Sequence, residues 1–95
     1  MSDPTLLVLA SLADGDKHGY AIMEDIQSFA GVRLGPGTLY GAITRLEERG
    51  LIRALDSGDR RKPYRLTAQG QRHLQEQLAN MSRVVRTGLK RLEKA

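Results

Sequence analysis

RLGPGTLYGAITRLEERGLIRALDSGDRRKPYRL, residues 33–66, carries a helix, a stop and a basic hairpin in succession. Gly35-Pro36-Gly37 is a break and a restart, and a helical period then runs from Thr38 to Arg49 before Gly50 stops it. Leu51–Asp56 reads as an apolar strand, Ser57-Gly58-Asp59 as a turn, and Pro63–Leu66 as a second strand. Between turn and second strand stand three consecutive cations, Arg60, Arg61 and Lys62. A helix with a spare polar face beside a basic hairpin is a shape suited to double-stranded DNA.

The phase of the helix separates its two faces. At about 100° per residue, Leu39, Ala42, Ile43 and Leu46 share one side, which must face the core. Gly37, Gly41, Thr44 and Glu48 lie opposite, with Thr38, Tyr40 and Arg45 on the flanks. A helix entering the major groove needs an uncrowded polar face near its N-terminus. Gly41 costs a helix about 1 kcal/mol relative to alanine, so an outward glycine there is either tolerated or an allowance for close approach. Arg45 can pair with guanine or phosphate, and the hydroxyls of Thr38, Tyr40 and Thr44 can reach phosphates or base edges. The plain alternative is an amphipathic helix with a solvated face. The hairpin argues against it, because three adjacent cations repel one another in water but match phosphates spaced about 1.7 Å along a duplex axis.

Working outward, residues 4–13 form a first helix, with Asp3 as N-cap and Pro4 at the first helical position. Asp14-Gly15-Asp16 stops it, and His18-Gly19 opens a second helix over residues 19–30. Ile22, Ile26, Phe29 and Ala30 are its apolar face, and Gly31 ends it. Thr67 caps a long final helix running towards Glu93. The fold class is mainly α with a small β-hairpin: a winged helix-turn-helix DNA-binding domain over residues 1–72, and a C-terminal helix over 73–95 in the same compact unit.

Bulk properties agree. Ninety-five residues suit one domain, with 40% hydrophobic and 27% charged residues and a pI near 9.9. No cysteine is present, which excludes disulfides, thiolate zinc sites and cysteine-ligated iron–sulfur clusters. The first residues lack the basic leader of a signal peptide, and their apolar run is shorter than the roughly 20 residues that span a bilayer. A soluble cytoplasmic protein with no membrane partner is expected. Charge is unevenly spread: residues 1–32 hold one lysine against five carboxylates, whereas residues 33–72 hold nine cations against four. Clustered positive charge is the footprint of a polyanion partner.

Three blocks, HGYAIMEDI, GPGTLYGAITRLEERGLI and RRKPYRLTAQG, resemble the signature blocks of the PadR family of bacterial transcriptional regulators, over roughly residues 5–75. Gly41 departs from the family pattern, in which proline commonly follows the tyrosine; the swap is expected to loosen the helix start and leave the topology intact. The resemblance implies a homodimer that binds an inverted repeat and represses transcription, commonly relieved by a small effector. It implies that Thr38, Tyr40, Thr44 and Arg45 face DNA from the recognition helix. Arg60, Arg61 and Lys62 then act from the wing, and Lys17, His18 and Tyr20 touch the backbone from the start of the second helix.

The last helix points to dimerisation on its own. Leu74, Leu78, Met81, Val85, Gly88 and Leu92 recur at spacings of 4, 3, 4, 3 and 4, a heptad seam apart from the glycine, and Val84 and Leu89 widen it. The dimerisation residues are therefore Leu74, Leu78, Met81, Val85 and Leu92. Its cations, Arg83, Arg86, Lys90, Arg91 and Lys94, read as a solvated face. No nucleophile, base and orienter stand at workable spacing, so an enzyme is not expected. His18 and His73 have no partner at ligand spacing, so neither metal nor cofactor is expected. The expected function is a sequence-specific, homodimeric repressor. The alternative is a winged-helix interaction module whose basic face meets an acidic protein, since fold does not fix function.

Overall fold

Asp3 caps the first helix by accepting the Thr5 N–H at 3.0 Å, with Pro4 at the first helical position. This computed structural model describes residues 3–58 and 60–94, so Asp59 of the expected turn lies outside the described residues. In chain order the elements are α1 (Pro4–Leu12), β1 (Lys17–His18), α2 (Gly19–Ala30), α3 (Pro36–Glu48), β2 (Ile52–Ala54), β3 (Pro63–Leu66) and α4 (Ala68–Lys94). Among the described residues no helix is long and apolar enough to cross a membrane.

The architecture is the expected mainly helical winged helix, with one correction to the sheet. It has three strands in the order β1-β3-β2, all antiparallel. Lys17 pairs with Tyr64 and His18 with Pro63, so the residues before α2 form an edge strand. Two residues carry too little alternation to announce a strand, and β1 exists only because β3 supplies its partner. On the other side, Ile52, Arg53 and Ala54 face Leu66, Arg65 and Tyr64, so β2 is shorter than the expected Leu51–Asp56. α3 starts at Pro36, two residues before the expected Thr38, because proline's fixed φ suits the first helical turn. It runs unbroken through Gly41, which sits in its second turn.

The core gathers on α1, where Leu7, Val8, Leu9, Ser11 and Leu12 are all buried. α2 contributes Ile22 and Ile26, and α3 contributes Leu39, Ala42, Ile43 and Leu46. Two apolar expectations change. Phe29 is 51% exposed, because at this end of α2 the small Ala30 packs against the core and Phe29 falls to the side of that face. Leu74 is only 5% exposed and belongs to this chain's own core, not to an open seam.

Thr67 fastens the last helix to the end of α3. Its hydroxyl donates to the Gly50 carbonyl at 2.7 Å and accepts the Gly70 N–H at 3.0 Å. Its own N–H donates to the Leu51 carbonyl at 3.1 Å. Gly50, at φ 74°, makes the reversal after α3 that favours glycine. Gly70 then lies so close to Leu51 that a Cβ would overlap that carbonyl oxygen. Gly70→Ala should lower stability by about 1–2 kcal/mol, backbone overlap outweighing alanine's helix preference. Urea unfolding checks this: the midpoint should fall with an unchanged slope.

Candidate nucleic-acid interface

α3 offers an open N-terminal face. Its N-cap is Gly35, which supplies no side-chain bond, so its first-turn N–H groups receive none from the cap. Positions 35 and 37 have open space where a Cβ would stand. Gly41 faces outward too, and a Cβ there would meet only Arg45 Nη1, at 3.7 Å. Arg45 therefore lies back along the helix over Gly41, the direction helical side chains take. Thr44 donates its hydroxyl to the Tyr40 carbonyl at 2.9 Å, which commits its proton and leaves its lone pairs as acceptors.

A cleft of about 470 Å³ opens beside this helix, lined by His18, Gly19, Tyr20, Tyr40, Arg60, Arg61, Lys62 and Tyr64. Six expected contact residues meet there, drawn from the start of α2, from α3 and from the wing. Thr38, Gly41, Thr44 and Arg45 are not part of its lining and belong to the exposed face of α3. All three tyrosines of the chain line it. Tyr64 was not anticipated; burial, then the Glu47 carboxylate, push its phenol above the usual tyrosine range. The signal was the alternation in β3, where Tyr64 must point opposite to Arg65. Gly19 was missed as well. A Cβ there would overlap the Tyr40 hydroxyl, so the glycine lets Tyr40 lie across the start of α2.

His18 is the N-cap of α2, its Nδ1 accepting the Ala21 N–H at 3.3 Å. That tautomer leaves Nε2–H as the outward donor. Lys17 is corrected. Its side chain is only 18% exposed, and its ammonium donates to the Ser11 carbonyl and to Asp14 Oδ1, both at 2.5 Å. It is turned inward, away from the cleft that its neighbour His18 lines. The hydrogen bond from Lys17 holds the Asp14 carboxyl below the usual carboxylate range. Asp16 is lowered by its bond from Arg65, whose Nε and Nη2 reach the two carboxylate oxygens at 3.1 and 2.8 Å. That fork ties the loop before β1 to β3.

The wing is shaped locally. Ser57 Oγ donates to the Arg61 carbonyl at 3.1 Å, and Asp56 Oδ1 accepts the Gly58 N–H at 3.2 Å. Beyond the site, α4 divides. Leu74 is buried, whereas Leu78 and Met81 are 46% exposed and Val85 and Leu92 are more exposed still, with Val84 and Leu89 beside them.

Known proteins match this arrangement. The family model described as the transcriptional regulator PadR-like family matches residues 8–76. An uncharacterized 37.1 kDa protein in transposon TN4556 of Streptomyces fradiae is 46% identical over 83 residues, covering 87% of this chain and 24% of that protein. The chain thus spans about a quarter of that relative's length. A transcriptional regulator of Mycobacterium tuberculosis is 39% identical over 75 residues, covering 75% of this chain and 68% of that one. The crystal structure of a PadR family transcription regulator from Clostridium difficile R20291 superposes with a TM-score of 0.83 at 28% identity, covering 94% of this chain and 97% of that one. A transcriptional regulator from Clostridium thermocellum gives 0.79 at 27% identity, over 90% and 89%.

Gly19→Ala should change folding stability by about 0.5 kcal/mol or less, since only the far end of a flexible side chain must move. The Tyr40 ring resonances should shift and duplex affinity should fall. Urea unfolding, NMR and a binding titration on one sample check the pair; a stable variant with unmoved Tyr40 signals would show that the contact does not set the ring's position.

Proposed function

The chain belongs to the PadR-like family of transcriptional regulators, a DNA-binding class and not an enzyme class, and from that membership we propose that it works as a homodimeric repressor on an inverted-repeat operator. The observation that carries the proposal is the convergence of Arg60, Arg61 and Lys62 with His18, Tyr20 and Tyr40 on one cleft beside the open face of α3. In this reading α3 enters a major groove. Arg45 addresses guanine or phosphate, Thr38 and Tyr40 bond phosphates or base edges, and Thr44, its proton committed, accepts from a base-edge donor. The wing cations hold the flanking backbone and contribute affinity with little sequence preference. Repression follows from occupancy, because a dimer seated on a promoter excludes other proteins from it.

The second copy is supported by α4. Its outer part presents an apolar stripe from Leu78 to Leu92 that is about half-exposed or more in a single chain. Covering each large apolar side chain is worth about 1.5–3 kcal/mol, which is ample to drive association. Two-fold symmetry then gives half-sites about 10 bp apart, or a multiple of that. Release by a small effector belongs to the same proposal. A groove of about 420 Å³ between the end of α1 and α4 has Leu12, Leu66, Leu74 and Leu78 in its walls and lies in the size range of small-molecule sites.

Replacing Arg60, Arg61 and Lys62 together by glutamine should reduce the slope of log K against log salt by roughly 2 to 3. An unchanged slope would remove the wing from the interface, and binding to acidic protein in place of duplex would favour an interaction module. Replacing Val85 and Leu89 by glutamate should halve the solution mass measured by light scattering. A wild-type protein that is already monomeric would overturn the dimer.

A further inference from the structure

The His18–Tyr20 wall of the cleft has a support behind it. Lys17 stands in β1 opposite Tyr64, and its side chain runs inward to three groups. It donates to the carbonyl of Ser11, in the last turn of α1, where helical carbonyls lack intrahelical partners. It bonds Asp14 in the turn that follows. It lies 4.0 Å from Asp25 Oδ2 of α2, and the same oxygen accepts the hydroxyl of the buried Ser11 at 2.7 Å. One ammonium thereby joins the end of α1, the flank of α2 and the edge strand. The next residue, His18, caps α2 and starts the cleft wall.

We propose that Lys17 is a positioning residue for DNA binding: its ammonium touches no phosphate and instead holds the His18–Tyr20 wall against α1 and α2. The proposal rests on the DNA-binding function put forward above. Swinging the ammonium out to a phosphate would strip the Ser11 carbonyl of its donor and Asp14 of its ion pair, and would untie β1 from the end of α1. Charge position separates the two roles. A phosphate contact releases counterions and adds about 0.9 to the salt slope, whereas a positioning residue changes affinity and leaves the slope alone.

The test is Lys17→Met, which keeps the apolar stem and removes the charge. The probe is a duplex of about 30 base pairs, long enough for two half-sites about one turn apart, enriched by selection on the wild-type protein. At fixed salt the variant should bind about five-fold more weakly, the range seen for residues that act without touching the ligand. Its salt slope should equal that of the wild type, and amide exchange should quicken over residues 16–21 with the rest of the chain unchanged. A slope lower by about 0.9 makes Lys17 a phosphate contact and overturns the proposal. Unchanged affinity overturns it as well, and exchange that quickens throughout the chain reduces Lys17 to general stability. A wild-type protein with no salt-dependent duplex binding fails at an earlier step, overturning the DNA-binding function itself and the proposal with it.

Discussion

The fold depends on enclosing a helix that cannot stand alone. α1 has nine residues, below the length at which an isolated helix persists in water. None of them is fully exposed, and Val8 and Leu9 are almost wholly removed from solvent. A helix apolar on nearly every side must be surrounded, and α2, α3, α4 and β3 all pack against it. Each surrounding element gives it one face and keeps the other. α3 gives up Leu39, Ala42, Ile43 and Leu46, and what remains outward is the glycine- and threonine-bearing face suited to a groove. The candidate interface is in that sense the complement of the core.

Charge is sorted by the same packing. The acidic surplus of the first 32 residues is partly spent on internal fastening. Asp14 pairs with Lys17, with Asp25 nearby, and Asp16 takes the Arg65 fork. Arg53 and Arg65 stand opposite each other in the sheet, a repulsive placement that the Asp16 carboxylate relieves beside them. Carboxylates that serve as ties on one side leave the wing cations to dominate the potential at the cleft. Specific ion pairs thus organise the scaffold on the side of β1, while Arg60, Arg61 and Lys62 line the cleft on the other.

Much of this was readable because it is periodic or punctuated. The phase of α3 assigns its buried four, Gly50 marks the stop, Pro63 marks a strand start, and Asp3-Pro4 marks a helix start; each is a local rule acting on its own residues. What was not readable needs a partner outside its own element. β1 is a strand only through β3. Phe29 keeps helical spacing, but Ala30 beside it is the residue that packs on the core. Lys17 stands next to a family block associated with DNA, yet Ser11, Asp14 and Asp25 are placed so as to claim its ammonium. The Tyr40–Gly19 contact likewise joins α2 to α3, and no pattern within either helix announces it.

The heptad seam of α4 shows how one sequence pattern can serve two masters. Leu74 and Leu92 obey the same spacing, but Leu74 lies over the core beside the close approach of Gly70 to Leu51, and Leu92 lies beyond any element that could cover it. α4 is about 40 Å long at 1.5 Å per residue, against a molecule 57 Å in its longest extent and 20 Å in its shortest. A core this thin can cover only the first turns. The seam therefore changes partner along its length: its start anchors the helix to the winged domain, and its remainder holds an apolar face at a fixed angle to α3. Because one rigid helix carries both parts, any contact made by the outer stripe sets the direction in which α3 points. If the outer stripe meets a second copy, the relative placement of the two recognition helices, and with it the half-site spacing, is determined by the Thr67 and Gly70 junction at the base of α4.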